Sequence, residues 1–326
     1  MKTRILSILN ILFCLQLGAG QNILVKDTYS NEPVSFATIS FGNGLGTFAD
    51  GNGVFRFSQK LYPEIDTLFI SSIGYQDLKI PVLKLNESVE LVPQASRLAT
   101  VVVNAELRGN FKIEKVKEIV HKEYEDCWLP TVESEIAVRF DRVDDQPTMI
   151  SNLKLPILLE KSQRSKKDKL RKFSTMFRVL FYDVDPNGSP SSSSLYPTKT
   201  FIIDQKSDKV FELDITDLRI VIPKSGIFAS IQVLGYTKPN GDLINAKKYR
   251  EIKTSRGITK VSTTYRPLLP FTDQIKGKTT WVRRVFLNNK SWQLFDLEYN
   301  PMSKLVRNGH DNYGLGAELR VYPPQD

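Results

Sequence analysis

The sequence predicts a mainly β protein: two β-sandwich domains joined by one linking helix. Three observations predict it. Short apolar runs split by turn residues fill most of the 326 residues, and several alternate strictly. A helical period of useful length occurs in one stretch only, 111–125. The hydrophobic fraction of 41% and charged fraction of 25% suit packed cores and exclude collagen-like or bulk disordered chains.

At the N-terminus, Lys2 and Arg4 precede a mostly apolar run, 5–17, broken by Ser7, Asn10 and Gln16; "GAG" at 18–20 then offers small residues to a signal peptidase. The run is too short to anchor in a bilayer. Residues 1–20 are therefore expected to be an export signal, with Gln21 the first mature residue. Cys14 does not make it a lipoprotein signal, because Phe13 stands where a small residue is required. Export leaves Cys127 as the single thiol, so no internal disulfide is expected. Beside Trp128, Cys127 reads as a small buried hydrophobe. No later stretch reaches transmembrane length, so the mature chain is expected to carry no transmembrane anchor.

Residues 21–105 read as the first sandwich. In "PVSFATISF", Val34, Phe36, Thr38 and Ser40 face one way and Ser35, Ala37, Ile39 and Phe41 the other. Apolar residues on both faces suit a strand buried in a sandwich. "TLFISSI", "YQDLKIPV", "ESVELVP" and "LATVVVNA" continue at the regular spacing of such a fold. Residues 106–130 read as a linker followed by an amphipathic helix over 111–125, because Ile113, Val116, Val120 and Tyr124 recur at three- and four-residue steps. Residues 131–326 return to strands, among them "EIAVRF", "FRVLFYDV", "GIFASIQVLGY" and "AELRVY". Their number suggests a second, larger sandwich of jelly-roll type.

The stretch "GTFADGNGVFRF", 46–57, decides how the first domain is read. Asp50-Gly51 and Asn52-Gly53 are strong turn dipeptides, since Gly and Asn tolerate positive φ. A phosphate loop would need Lys-Ser or Lys-Thr and a following helix. A calcium loop would need spaced acids, and Asp50 is the only one. The stretch is expected to be a hairpin or turn with Phe48 and Phe55 returning to the core.

Together, "EPVSFATISF", "GTFADGNGVFRF", "LFISSIGYQDLKI" and the terminal "LATVVV" resemble the carboxypeptidase-regulatory-like, transthyretin-like domain. The residues that carry the resemblance are Pro33, Ala37, Gly46, Thr47, Asp50, Gly53, Phe55, Gly74 and Tyr75. It implies a transthyretin-like β-sandwich for 21–105. Such domains accompany zinc carboxypeptidases or precede the plug of TonB-dependent outer-membrane receptors, especially in Bacteroidetes-type bacteria, and are accessory and non-catalytic. The enzyme itself is missing: His121 and His310 have Tyr124 and Tyr313 where a zinc-binding His-x-x-Glu pair needs Glu. A receptor barrel needs more strands than this length supplies. The text around "FRVLFYDVDPNGSPSSSSL" and "VFELDITDLRIVIPKSGIFASIQVLGY" is similar to C-terminal regions of exported Bacteroidetes proteins that carry this module.

Several residues are candidates for a site. Asp183, Asp185 and Asn187, with Gly188, match the first half of an EF-hand loop, but Ser194 stands at the twelfth position where a bidentate Glu belongs. The bland reading is a strand end and a Pro-Asn-Gly turn; the other is a structural Ca²⁺. The run "KSQRSKKDKLRK", 161–172, holds seven Lys or Arg against one Asp. Its Lys166, Lys167 and Arg171 either solvate a loop or meet acidic glycans or lipid phosphates. Trp281 and Trp292 either pack in a core or stack on sugar. No nucleophile motif or catalytic residue is identified, and no cofactor is expected.

The net charge of +9 falls to +7 without Lys2 and Arg4 and favours anionic surfaces. Export argues against nucleic acid as the partner. The expected function is an exported, non-catalytic binding or assembly module of the periplasm or cell surface, with an envelope or outer-membrane protein or a glycan as partner. The alternative is a hydrolase acting on envelope glycan or peptide through the second domain.

Overall fold

The computed structural model describes residues 20–94, 107, 109–161, 170–244, 248–255, 257–287 and 290–324. The expected export signal up to residue 19, the expected strand at 98–105, Lys166 and Lys167 lie outside them. The fold is mainly β, as the alternation predicts, and the chain divides into two compact units, Met1–Gln94 and Ala95–Asp326.

In the first unit two sheets enclose one core. Gln21–Asp27 is the centre of a three-stranded sheet, antiparallel to Val54–Phe57 and parallel to Ser88–Leu91. The second sheet is antiparallel, in the order Gly46–Phe48, Thr38–Ser40, Thr67–Ser71, Leu78–Pro81. Alternation turns Ile23, Val25, Phe55 and Phe57 of the first sheet toward Ile39, Leu68 and Ile70 of the second. The Phe41 ring bridges the layers, 5.5 Å from Phe57 and 4.7 Å from Tyr62.

The glycine-rich stretch is a turn, but not a hairpin. Gly46–Phe48 belongs to one sheet and Val54–Phe57 to the other, so the turn carries the chain across the sandwich. Asp50 organises it: Oδ1 accepts the amides of Asn52 at 2.9 Å and Val54 at 3.0 Å. Gly53 has φ +74°, and its carbonyl accepts the Val25 amide at 2.8 Å. Phe48 and Phe55 are both buried in the core on either side.

The second unit is built on two large antiparallel sheets. One has six strands, in the order Lys199–Asp204, Ser174–Asp183, Ile227–Tyr236, Ser134–Phe140, Thr280–Arg284, Gln293–Leu294. The other runs Val210–Asp214, Thr148–Pro156, Gly316–Val321, Lys112–Val116, with Ile220–Val221 also pairing to Thr148–Pro156. Stacked rings connect the two sheets, Phe177 to Phe201 at 5.7 Å and Phe201 to Phe211 at 5.4 Å. Leu269–Thr272 lies between Asn312–Tyr313 and Cys127–Trp128 in a smaller sheet, and Tyr249–Thr254 pairs with Gly257–Ser262 in a two-stranded hairpin.

The linking helix expected over 111–125 is not there. Lys112–Val116 is an edge strand paired antiparallel to Gly316–Val321, and beyond it the Ile119 amide donates to the Gly314 carbonyl at 3.0 Å. Helical geometry is confined to one 3-10 turn, Tyr124–Asp126. The stripe that suggested a helix stays exposed at all four positions, Ile113, Val116, Val120 and Tyr124. An amphipathic helix draws its stability from burying its stripe. Here the open edge of a sheet offers backbone partners instead, and Lys and Glu side chains suit that solvated edge. The close approach needs a missing side chain opposite: a Cβ at Gly316 would lie 2.7 Å from both Val116 O and Glu118 N. The α-helix described in the chain is the short Lys304–Arg307 turn.

The Asp50 turn makes a stability prediction. A Cβ at Gly53 would lie 2.7 Å from Val25 O, whereas one at Gly109, φ +98°, meets nothing within 4 Å. Gly109→Ala should therefore carry only the left-handed backbone cost, about 1–2 kcal/mol. Gly53→Ala should cost more than that, read as a larger fall in urea midpoint at unchanged m-value.

Candidate functional site

The six-stranded sheet has two unlike faces. Ile136, Val138 and Phe140 point to the core, so Glu135, Ala137 and Arg139 take the opposite face. Register then sets a charged row across four strands: Arg178 opposite Gln232, Gln232 opposite Glu135, Glu135 opposite Arg283. Glu135 is fully buried. Its Oε1 accepts Tyr182 Oη at 2.9 Å and Ser230 Oγ at 2.6 Å, and its Oε2 accepts Arg283 Nε at 2.9 Å. Arg178 donates Nε to Gln232 Oε1 at 3.1 Å. Burial pushes the Tyr182 hydroxyl far above its ordinary value, so it remains a donor.

Arg283 joins this row to the loop above it. Its guanidinium donates to Tyr182 Oη at 2.7 Å and to the Ser192 carbonyl at 3.2 Å. It also packs against two rings that meet edge to face, 5.0 Å from the Tyr182 centroid and 4.4 Å from that of Trp292. Trp292 donates Nε1 to the Ser191 carbonyl at 3.1 Å, and Trp281 meets Phe228 edge to face. Trp281 and Trp292 are thus half-buried partners of one packed patch with Ala137, Leu180, Tyr182 and Phe228. Both oxygens of Glu135 are engaged by donors, so the cluster acts as a brace for the serine loop.

The acidic loop forms a turn. Asp183 Oδ1 accepts Tyr196 Oη at 2.6 Å, and Asn187 Oδ1 accepts the Ser189 amide at 3.2 Å and its hydroxyl at 2.8 Å. Asp185 receives the Gly188 amide on its carbonyl, and Gly188 has φ +84°. These bonds close Asp183, Asp185 and Asn187 into the Pro-Asn-Gly turn. Among the described residues no three of His, Cys, Asp and Glu gather as a metal-ready group. His121 donates Nε2–H to the Phe271 carbonyl at 2.7 Å and accepts the Glu123 amide on Nδ1 at 3.2 Å. Cys127 is buried, and burial, aided by Asp126 and Glu123, pushes its thiol up to about 12, away from nucleophilic use.

Arg171 stands in a different place, at a cleft of about 730 Å³. Three neighbouring strands end there: Ser174–Asp183 begins, while Lys199–Asp204 and Ile227–Tyr236 finish. The floor is Phe173, Ile202, Tyr236 and Ile244, and the cations are Arg171, Lys172, Lys206 and Lys238. Turn chemistry fixes the walls. Asp204 Oδ1 accepts the Lys206 amide at 2.7 Å, Gln205 Oε1 accepts the Phe173 amide at 3.1 Å, and the Ser174 and Thr237 hydroxyls bond at 2.6 Å. Among the described residues Lys172 and Lys206 make no ion pair, and Lys238 reaches Asp242 only at 4.0 Å. Arg171 shares Glu160 with the buried Arg266, at 3.1 and 2.6 Å. Burial pushes the Glu160 carboxyl up, but Arg266 and Arg171 outweigh it and hold it below the usual carboxylate range.

Arg171 was legible from the basic run around it. Lys206 and Lys238 were not, because only antiparallel strand ends bring them together from distant turns. The alternation of "EIAVRF" carried an advance sign of the charged face, with Glu135 and Arg139 on the side opposite Ile136, Val138 and Phe140. Comparison with family models, curated proteins and solved structures finds no match.

Two predictions test the electrostatics. Arg283→Met leaves Glu135 buried without its cation and should lower stability by about 3–5 kcal/mol. Glu135→Leu combined with Arg283→Met should recover most of that in a double-mutant cycle of urea unfolding. For Glu160 the folded chain binds its proton less readily than the unfolded chain. Its ionised form therefore adds stability that is complete above the unfolded-state value. The stability gap between the parent protein and Glu160→Gln should hold from neutral pH down to that value, then vanish as pH falls through the lower folded-state one.

Proposed function

We propose that this chain is an exported, non-catalytic binding module of the cell envelope, and that the cation-rimmed cleft of its second unit is where it takes an anionic glycan. The export signal at 1–20 and the carboxypeptidase-regulatory-like pattern at 21–105 support an accessory envelope module. The observation that carries the ligand site is the cleft itself: four cations, two of them in no ion pair among the described residues, around an apolar and aromatic floor. Long cationic side chains without partners offer attraction without the penalty of breaking an existing pair. Among the described residues the cleft lining includes one carboxylate, Asp204, where two-carboxylate glycoside hydrolysis works with a pair. That favours binding over the hydrolase reading.

Calorimetric titration with a sulfated or uronic-acid oligosaccharide tests the site. Binding should weaken as salt rises from low to physiological strength, since exposed charges are screened. Lys206→Glu with Lys238→Glu should reduce affinity at least tenfold without changing the urea midpoint by more than a few tenths molar. Absence of binding, or binding indifferent to the double charge reversal, would overturn the assignment.

A further inference from the structure

The cleft's lining is more specific than a positive patch. We infer that its ligand is a phosphorylated sugar, an inference that rests on the binding reading above. The rim is three lysines and one arginine, and the arginine already gives one arm to Glu160. Lysine binds phosphate as a mobile point charge, without the planar fork that favours carboxylate recognition by arginine. A phosphomonoester brings a charge near −2 and three acceptor oxygens to such a cluster.

The remaining lining suits a polyol. Asp204 places a carboxylate among the cations, and its Oδ1 is held by the Lys206 amide at 2.7 Å. A carboxylate at that position repels a bare anion, yet its second oxygen can accept a sugar hydroxyl as a charge-assisted bond. The paired Ser174 and Thr237 hydroxyls add further donor and acceptor capacity. Tyr236, its ring 4.6 Å from that of Tyr265, offers a fixed aromatic surface for a sugar face. The volume of about 730 Å³ is in the range of pockets that hold one or two sugar rings.

The test titrates the full chain with glucose 6-phosphate, glucose and inorganic phosphate at low salt. The sugar phosphate should bind at least tenfold more tightly than either fragment, and Lys206→Glu with Lys238→Glu should abolish the difference. Asp204→Asn keeps the turn bond but removes the charge. It should weaken sugar-phosphate binding several-fold while leaving phosphate unchanged or tighter. Equal affinity for glucose 6-phosphate and phosphate, or an Asp204→Asn effect of the same sign on both, would overturn the inference. The anion-binding reading would survive that result, provided acidic oligosaccharide still binds. Loss of all anion binding would remove both. Sedimentation with phosphatidylcholine vesicles carrying a phosphorylated glycolipid identifies the source. Co-sedimentation displaced by glucose 6-phosphate supports a lipid-linked sugar, and its absence alongside sugar-phosphate binding supports a free one.

Discussion

The second unit depends on one interaction, the buried contact of Glu135 with Arg283 on the outer face of the six-stranded sheet. An isolated carboxylate there would be costly. It is stable because three donor groups converge on it, two hydroxyls on one oxygen and a guanidinium on the other, all supplied by strands of the same sheet. A one-residue slip of Ser134–Phe140 or Thr280–Arg284 would send Glu135 or Arg283 into the apolar core. The pair therefore specifies pairing as much as it stabilises it. The same guanidinium holds the serine loop, so alignment of the sheet and placement of that loop are one problem with one solution.

The first unit solves its specification differently. There the corner turn at Asp50 moves the chain between layers, and the carboxylate satisfies the amides that the corner exposes. The turn was readable from Asp-Gly-Asn-Gly, because positive φ and a short capping side chain are local properties. Its role as a crossing between sheets was not, since that depends on which strands Gly46–Phe48 and Val54–Phe57 choose as partners.

The mainly β class was legible for a related reason: alternation is a local signal, and burial on one face enforces it. The misreading at 111–125 shows where local signals fail. Spacing of three and four residues at Ile113, Val116, Val120 and Tyr124 fits a helix, but the deciding partner is Gly316–Val321, about two hundred residues away. Sites were legible on the same terms. Arg171 announced itself through its neighbours; Lys206 and Lys238 sit in turns that carry no sign of each other. Trp281 and Trp292 were visible as residues of interest, yet only cross-strand packing shows that they cover Arg283 and Phe228.

The serine run at 191–194 looks in sequence like an interchangeable spacer. Its anchors to the sheet are main-chain carbonyls: Ser191 O receives the Trp292 indole and Ser192 O receives Arg283. Such contacts are blind to side-chain identity but strict about residue number. Drift in composition at the exposed Ser192 and Ser193 would leave these anchors in place, whereas a single insertion or deletion would shift every carbonyl past its donor and expose the guanidinium beneath.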